Sequence, residues 1–304
     1  MTEVTSNILV LFSIMIISFL AKQLKLMPQG TVPVLTALLF NITLPALIFS
    51  SITSGPGLEL LKESLPLVSI AVAYCLSTNL VAGIAIKKAV SKDKSAGVLA
   101  FATVFSNTSF VGLPLCYLIF GQTGVVLGSL YDFVQTIFMF TTGIMFLGGS
   151  KSGFFKVIGS QLKEPPVLSL LAGLAVLLTE LKVPREVLEP LKMLGDVNTV
   201  LAMFAIGQYL ELNCFLDFSR LKKLLPLVLT KLLILPLAVL GIISLIPLTN
   251  QIKGVLTIMI ASPTAILAAV LAEKYKLDHE LAVMAVVTTT ALSMISLPLI
   301  LSLL

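Results

Sequence analysis

Apolar side chains in this chain come in long runs, punctuated at intervals by glycine, proline or charge. The runs fall at about 7–21, 32–53, 65–86, 96–120, 124–148, 165–180, 190–211, 223–246, 252–272 and 279–303. A spanning helix needs about 20 apolar residues, and most of the runs reach that length. The pattern therefore predicts an all-α polytopic membrane protein with ten transmembrane helices. The sixth run is short for a full crossing, and it sets the sidedness of everything after it.

Composition removes the competing classes. Hydrophobic residues make up 57% of the chain and charged residues 12%, whereas a soluble domain is about a quarter charged, so a soluble globule is excluded. Met1–Asn7 holds Glu3 and no Lys or Arg, and the first apolar run ends at Lys22 rather than at a small-residue cleavage site, which predicts a retained first helix. Cys75, Cys116 and Cys214 are odd in number and far apart, suggesting neither a disulfide framework nor a metal cluster. With His279 as the one histidine and no Walker, Rossmann or zinc motif, catalytic and metal-binding residues are not expected. No cofactor is expected either, and a serine hydrolase using Lys231 as base has no serine motif to support it.

The net charge of +5 reads as the lysine excess of cytoplasmic loops rather than as a nucleic-acid surface. With the N-terminus outside, odd-numbered loops collect fourteen Lys and Arg and even-numbered loops five. The expectation is a multi-pass plasma-membrane protein with both termini extracellular. The loop around Arg185 dissents, with three basic residues.

Helices one to five and six to ten can be superposed as two five-helix repeats, 1–150 and 151–304. Pro28 answers Pro184, Pro66 answers Pro226, and Gly97 answers Gly254. Five is odd, so the second copy inserts upside down, the inverted arrangement of secondary transporters.

Helix four carries FSNTSFVGLPL in mid-span, and helix nine carries IASPTAILAAV at the equivalent place. Both are small and polar where lipid demands the opposite. Pro114 and Pro263 each remove a backbone donor, and Gly112 weakens its helix further. Backbone freed at bilayer depth must be satisfied by protein or water, and paired interruptions point to a substrate site. Where winding resumes, bare amides carry about half a positive charge, which favours an anion. Ser106, Asn107 and Thr108, with Ser262, Pro263 and Thr264, are the candidate substrate-binding residues. For either segment alone, a proline kink that merely bends the helix is the competing reading.

Charges within the runs add to the picture, because such residues face a cavity or a partner. Asp132 shares a face of helix five with Ser129, Gln135, Thr136 and Thr142; it either carries a proton, pairs with a cation or reaches interfacial water. Lys231 in helix eight attracts an anion, pairs with an acid such as Asp132, or snorkels to the interface. Asp196 reads as a helix-start feature of helix seven, and Thr289, Ser293 and Ser296 as helix-packing hydroxyls of helix ten.

At these residues the sequence resembles the auxin efflux carrier family, which includes plant auxin exporters and prokaryotic permeases. SNTSFVGLPL is similar to the family's helix-four crossover and puts Asn107 on a substrate-contacting asparagine. ASPTAILAAVLAEKY is similar to its helix-nine crossover, with Pro263 in register. LPALIF with Pro45, LAMFAIG and TKLLILP extend the resemblance over nearly the full chain, and Gln135 falls on a family glutamine. The resemblance implies broken crossover helices four and nine, and a dimerising scaffold of helices one, two, six and seven. It also implies a mobile transport domain of helices three to five and eight to ten, with elevator-type alternating access. The chain departs from plant members at Ser106, at Ala268 and in its short fifth loop.

The expected function is secondary active or facilitative transport of a small organic anion, a carboxylate or auxin-like acid, by a homodimer in the bilayer. H⁺ or Na⁺ coupling stays open. The alternatives are a sodium-coupled symporter of the bile-acid-carrier type and a membrane sensor that transports nothing.

Overall fold

The computed structural model describes residues 2–28, 30–55, 57–89, 94–148, 154–210 and 218–303. Cys214, together with Lys92 and Lys151 of the lysine-rich loops, lies outside the described residues. In chain order the α-helices are α1 (Thr2–Gln23), α2 (Thr31–Leu38), α3 (Leu44–Ser54), α4 (Leu58–Glu63), α5 (Leu65–Ala89), α6 (Lys94–Val104), α7 (Leu113–Phe138) and α8 (Ile144–Phe146). They continue as α9 (Phe154–Gln161), α10 (Pro165–Leu178), α11 (Arg185–Tyr209), α12 (Phe218–Leu229), α13 (Leu235–Ser244), α14 (Asn250–Ala261), α15 (Leu267–Lys274) and α16 (His279–Leu301). Among the described residues the only extended pairing is one isolated antiparallel bridge.

Among the described residues four π-turns widen this framework, at Leu39–Thr43, Thr108–Gly112, Met139–Gly143 and Thr230–Ile234. Three of them run directly into a Leu-Pro pair, with Pro45, Pro114 and Pro236 second in the helix that follows. Proline offers no N–H to the carbonyl four residues back and its ring crowds that carbonyl; an inserted residue opens the turn and relieves both. The fourth has no proline. There Thr141 and Thr142 donate back to Ile137 and Phe138.

Among the described residues five helices are long and apolar enough to cross a membrane: Thr31–Ser54, Glu59–Ala85, Thr108–Phe146, Arg220–Ser244 and His279–Leu301. The third of these turns at Gly121, whose φ of 58° lies in the left-handed region that glycine tolerates. α11 begins at Arg185, five residues before the apolar run predicted there, because Pro190 is accommodated inside it. Asp196 is therefore well within the helix and not at its start.

The chain forms two compact units. The first comprises Met1–Pro66, Ser109–Leu130 and Ser160–Leu210. In it α1 lies along α11, and α3 lies against α10 and α11. Small residues permit the close approach: a Cβ at Gly207 would run into the Met15 carbonyl, and one at Gly195 into the Leu47 backbone. Polar side chains tie the same contacts. Ser18 donates to the Phe204 carbonyl (2.5 Å), Gln208 donates to the Ser18 carbonyl (2.6 Å), and Thr43 donates to Asn198 (2.8 Å). Lys22 donates to the carbonyls of Gln208 and Leu210, a cation where the dipole of α11 ends. Tyr117 donates to Asp196 (2.6 Å).

The second unit comprises Leu67–Thr108, Tyr131–Gly159 and Glu211–Leu304. Its core gathers Val98, Phe101 and Phe105 around Ala268, Ala272 and Val286. The rings of Phe101 and Phe105 stack tilted, 4.8 Å apart. A Cβ at Gly143 would strike both rings, so the π-turn at 139–143 closes on this core only as glycine.

Candidate functional site

All of the site described below lies within the second unit. α6 ends at Val104 and helical winding returns only at Thr108; α14 ends at Ala261 and winding returns at Leu267. The two unwound stretches pair with each other. The Asn107 N–H donates to the Pro263 carbonyl (2.7 Å) and the Ala265 N–H donates to the Phe105 carbonyl (3.0 Å), so that Ser106 and Thr264 stand opposite in an antiparallel bridge. Backbone groups that a helix would have satisfied are thereby satisfied across the crossing.

The hydroxyls repeat the same exchange. Thr264 Oγ1 donates to the Ala102 carbonyl (2.8 Å), and Ser106 Oγ points at the Ile260 carbonyl (3.4 Å). Each crossing residue thus reaches the carbonyl four residues before its counterpart. Their backbone amides also find equivalent partners: Ser106 N–H donates to Gln135 Oε1 (3.3 Å), and Thr264 N–H to Thr289 Oγ1 (3.1 Å). Ser106, Asn107, Thr108, Ser262 and Thr264 are all at most 4% exposed.

Gln135 organises the first break. Its Nε2 donates to the Ser106 carbonyl and to Thr108 Oγ1, both at 2.9 Å, and Thr108 Oγ1 in turn donates to Asp132 Oδ1. On the other side Lys231 is fully buried. Its Nζ lies 2.5 Å from Ser106 Oγ and 3.5 Å from the Val104 carbonyl. It enters the crossing from the π-turn between α12 and α13, which Pro236 follows, and its amine turns inward rather than out to the interface. Among the described residues no carboxylate lies within ion-pair distance of it.

Of the residues singled out in the sequence, Ser106, Asn107, Thr108, Ser262, Pro263, Thr264, Gln135, Asp132 and Lys231 come together here. Gly112 and Pro114 do not sit at the break. Winding is lost at Phe105–Asn107, whereas Gly112 closes the π-turn and Pro114 occupies the second position of α7, where a missing N–H is tolerated. Thr264, not Ala268, faces Ser106; Ala268 lies in the first turn of α15. Thr289 joins the site by receiving the Thr264 amide, and Asn79 anchors the π-turn at Met139–Gly143 by accepting from Thr142 (2.6 Å). A polar residue deep in an apolar run is the available signal for both, and in Thr289 it marks a ligand of the second break rather than a helix-packing hydroxyl.

Over residues 3–301 the sequence matches the family described as membrane transport protein. It is 28% identical over 98% of its length to an uncharacterized transporter of Methanothermobacter thermautotrophicus, covering 96% of that protein. An uncharacterized transporter of Methanocaldococcus jannaschii is 22% identical over 95% of the chain and 94% of its own length. A Rhizobium meliloti protein provisionally named a malonate transporter is 25% identical over 96% of the chain and 93% of its own length.

Proposed function

Because this chain belongs to the membrane transport protein family, which holds the auxin efflux carriers, we propose that it carries a small organic anion, most simply a carboxylate, through the crossing of 105–107 and 262–266. The observation that carries the reading is Lys231: a buried amine whose partners are a hydroxyl and a carbonyl finds its countercharge in an anionic substrate. Asn107 is the substrate's hydrogen-bonding side chain, and the amides where winding resumes face its carboxylate. The relative provisionally named for malonate favours a dicarboxylate.

The reading includes ten crossings in two inverted five-helix repeats, 1–150 and 151–304. It is supported by the reciprocal bonds of Ser106 and Thr264. Elevator-type movement of helices three to five and eight to ten against a dimerising scaffold draws support from the first unit, which holds 1–66 and 160–210, though also 109–130. The lysine excess of the odd loops supports plasma-membrane insertion with both termini outside. Asp132 is the acid through which proton coupling would act, reaching Ser106 by way of Thr108 and Gln135.

Counterflow of labelled malonate and a panel of mono- and dicarboxylates into proteoliposomes tests this. Asn107→Ala and Lys231→Gln are expected to abolish uptake, and Asp132→Asn to flatten its pH dependence. Uptake that vanishes when choline replaces Na⁺ would turn the reading to sodium symport. Ligand-dependent thermal stabilisation without flux would leave a sensor in place of a carrier.

A further inference from the structure

A cavity of about 640 Å³ opens in the second unit between α5, α6 and α12, and none of the substrate side chains named above lines it. Its wall is mostly apolar, and its hydroxyls are largely spoken for: Ser77 and Thr78 donate to the Tyr74 carbonyl, and Thr103 donates to the Leu99 carbonyl. An occupant therefore meets a surface that asks for few hydrogen bonds. At the mouth Val81 is 66% exposed and belongs to a row with Leu80 and Ile84, also exposed, so the opening gives onto the apolar perimeter. The one charged residue of the wall is Lys223, on the first turns of α12, in a helix start that also carries Arg220 and Lys222.

From an apolar trough, self-satisfied hydroxyls, a mouth on the lipid-facing side and a single cation at its rim, we infer that the cavity holds an acyl chain of an anionic phospholipid, with the lipid phosphate at Lys223. The medium around a membrane helix supplies the chain, and a juxtamembrane lysine attracts the anionic headgroup. The inner end of the trough is formed by Val104, Thr230 and Leu235. Val104 is the last residue before the first break, and Thr230 and Leu235 bracket the turn that carries Lys231. A seated chain thus braces the crossing from behind, filling space that otherwise leaves those side chains without van der Waals partners.

The test uses the full-length protein purified in detergent, with native mass spectrometry and thermal unfolding in the presence of phosphatidylglycerol, phosphatidylcholine of the same acyl chains, or glycerol phosphate alone. Phosphatidylglycerol is expected to be retained about fivefold over phosphatidylcholine, the preference one interfacial lysine supplies, and glycerol phosphate to protect nothing. Lys223→Gln, at an exposed position, should bring the two lipids to parity. Ala85→Leu at the exposed rim and Ala100→Leu deeper in should each reduce retention of both lipids. Equal retention of the two lipids by the wild type, a preference untouched by Lys223→Gln, or retention unchanged in both leucine variants would overturn the assignment. Protection by glycerol phosphate alone would replace the lipid with a soluble anion.

Discussion

Lys231 Nζ lies 2.5 Å from Ser106 Oγ, and this contact joins the π-turn at Thr230–Ile234 to the unwound stretch 105–107. Neither residue is more than 1% exposed. A buried amine costs several kcal/mol unless it is hydrogen-bonded, so the contact sets which way each substitution moves stability.

Ser106→Ala leaves Nζ with only its 3.5 Å approach to the Val104 carbonyl. The expected loss is about 1–3 kcal/mol, the penalty of a buried donor deprived of its acceptor. Lys231→Met removes the donor while filling similar space, and is expected to be neutral or stabilising. Thermal unfolding of both variants in detergent decides; a larger drop for Lys231→Met would contradict the account.

Thr108 and Gln135 act as one unit, because Gln135 holds the Ser106 backbone and Thr108 Oγ1 together. Thr108→Val and Gln135→Leu should therefore be non-additive. A double-mutant cycle is expected to show a coupling of about 0.5–3 kcal/mol. Simple additivity would mean the two side chains stabilise the break independently.

Two helical glycines separate packing from propensity. Gly207→Ala forces a methyl against the Met15 carbonyl between α1 and α11 and is expected to cost about 1–3 kcal/mol. Gly241→Ala in α13 meets nothing within 4 Å and should gain up to about 1 kcal/mol of helix propensity. Opposite shifts in melting temperature are the expected result, and a fall for both would remove the distinction.

Pro236→Ala restores the N–H that the turn at Thr230–Ile234 lacks. The π-turn is then free to relax to an α-turn, rotating Lys231 away from Ser106. Stability should hold or rise while carboxylate uptake falls at least tenfold. Wild-type uptake in this variant would mean that proline does not set the lysine's position.

The helices were readable because their signal is local. Runs of apolar residues broken by charge or proline located nearly every helical stretch, and the small polar content of FSNTSF and ASPT marked both breaks. The register inside them was not local. Pro114 invites a break at its own position, yet the chain keeps its helix there by widening the preceding turn. Winding is lost instead at Ser106–Asn107, where a second strand supplies hydrogen-bond partners.

By itself the sequence determined that this chain is a membrane protein, where its helices lie and that two of them are interrupted, since hydropathy and backbone chemistry act over one turn or one span. Tertiary structure alone decided that the interruptions pair, that Lys231 bonds to Ser106 rather than to Asp132, and that Thr289 completes the second break. Those outcomes follow from satisfying buried amides and hydroxyls across segments that lie many helical turns apart in the chain, which no local pattern encodes.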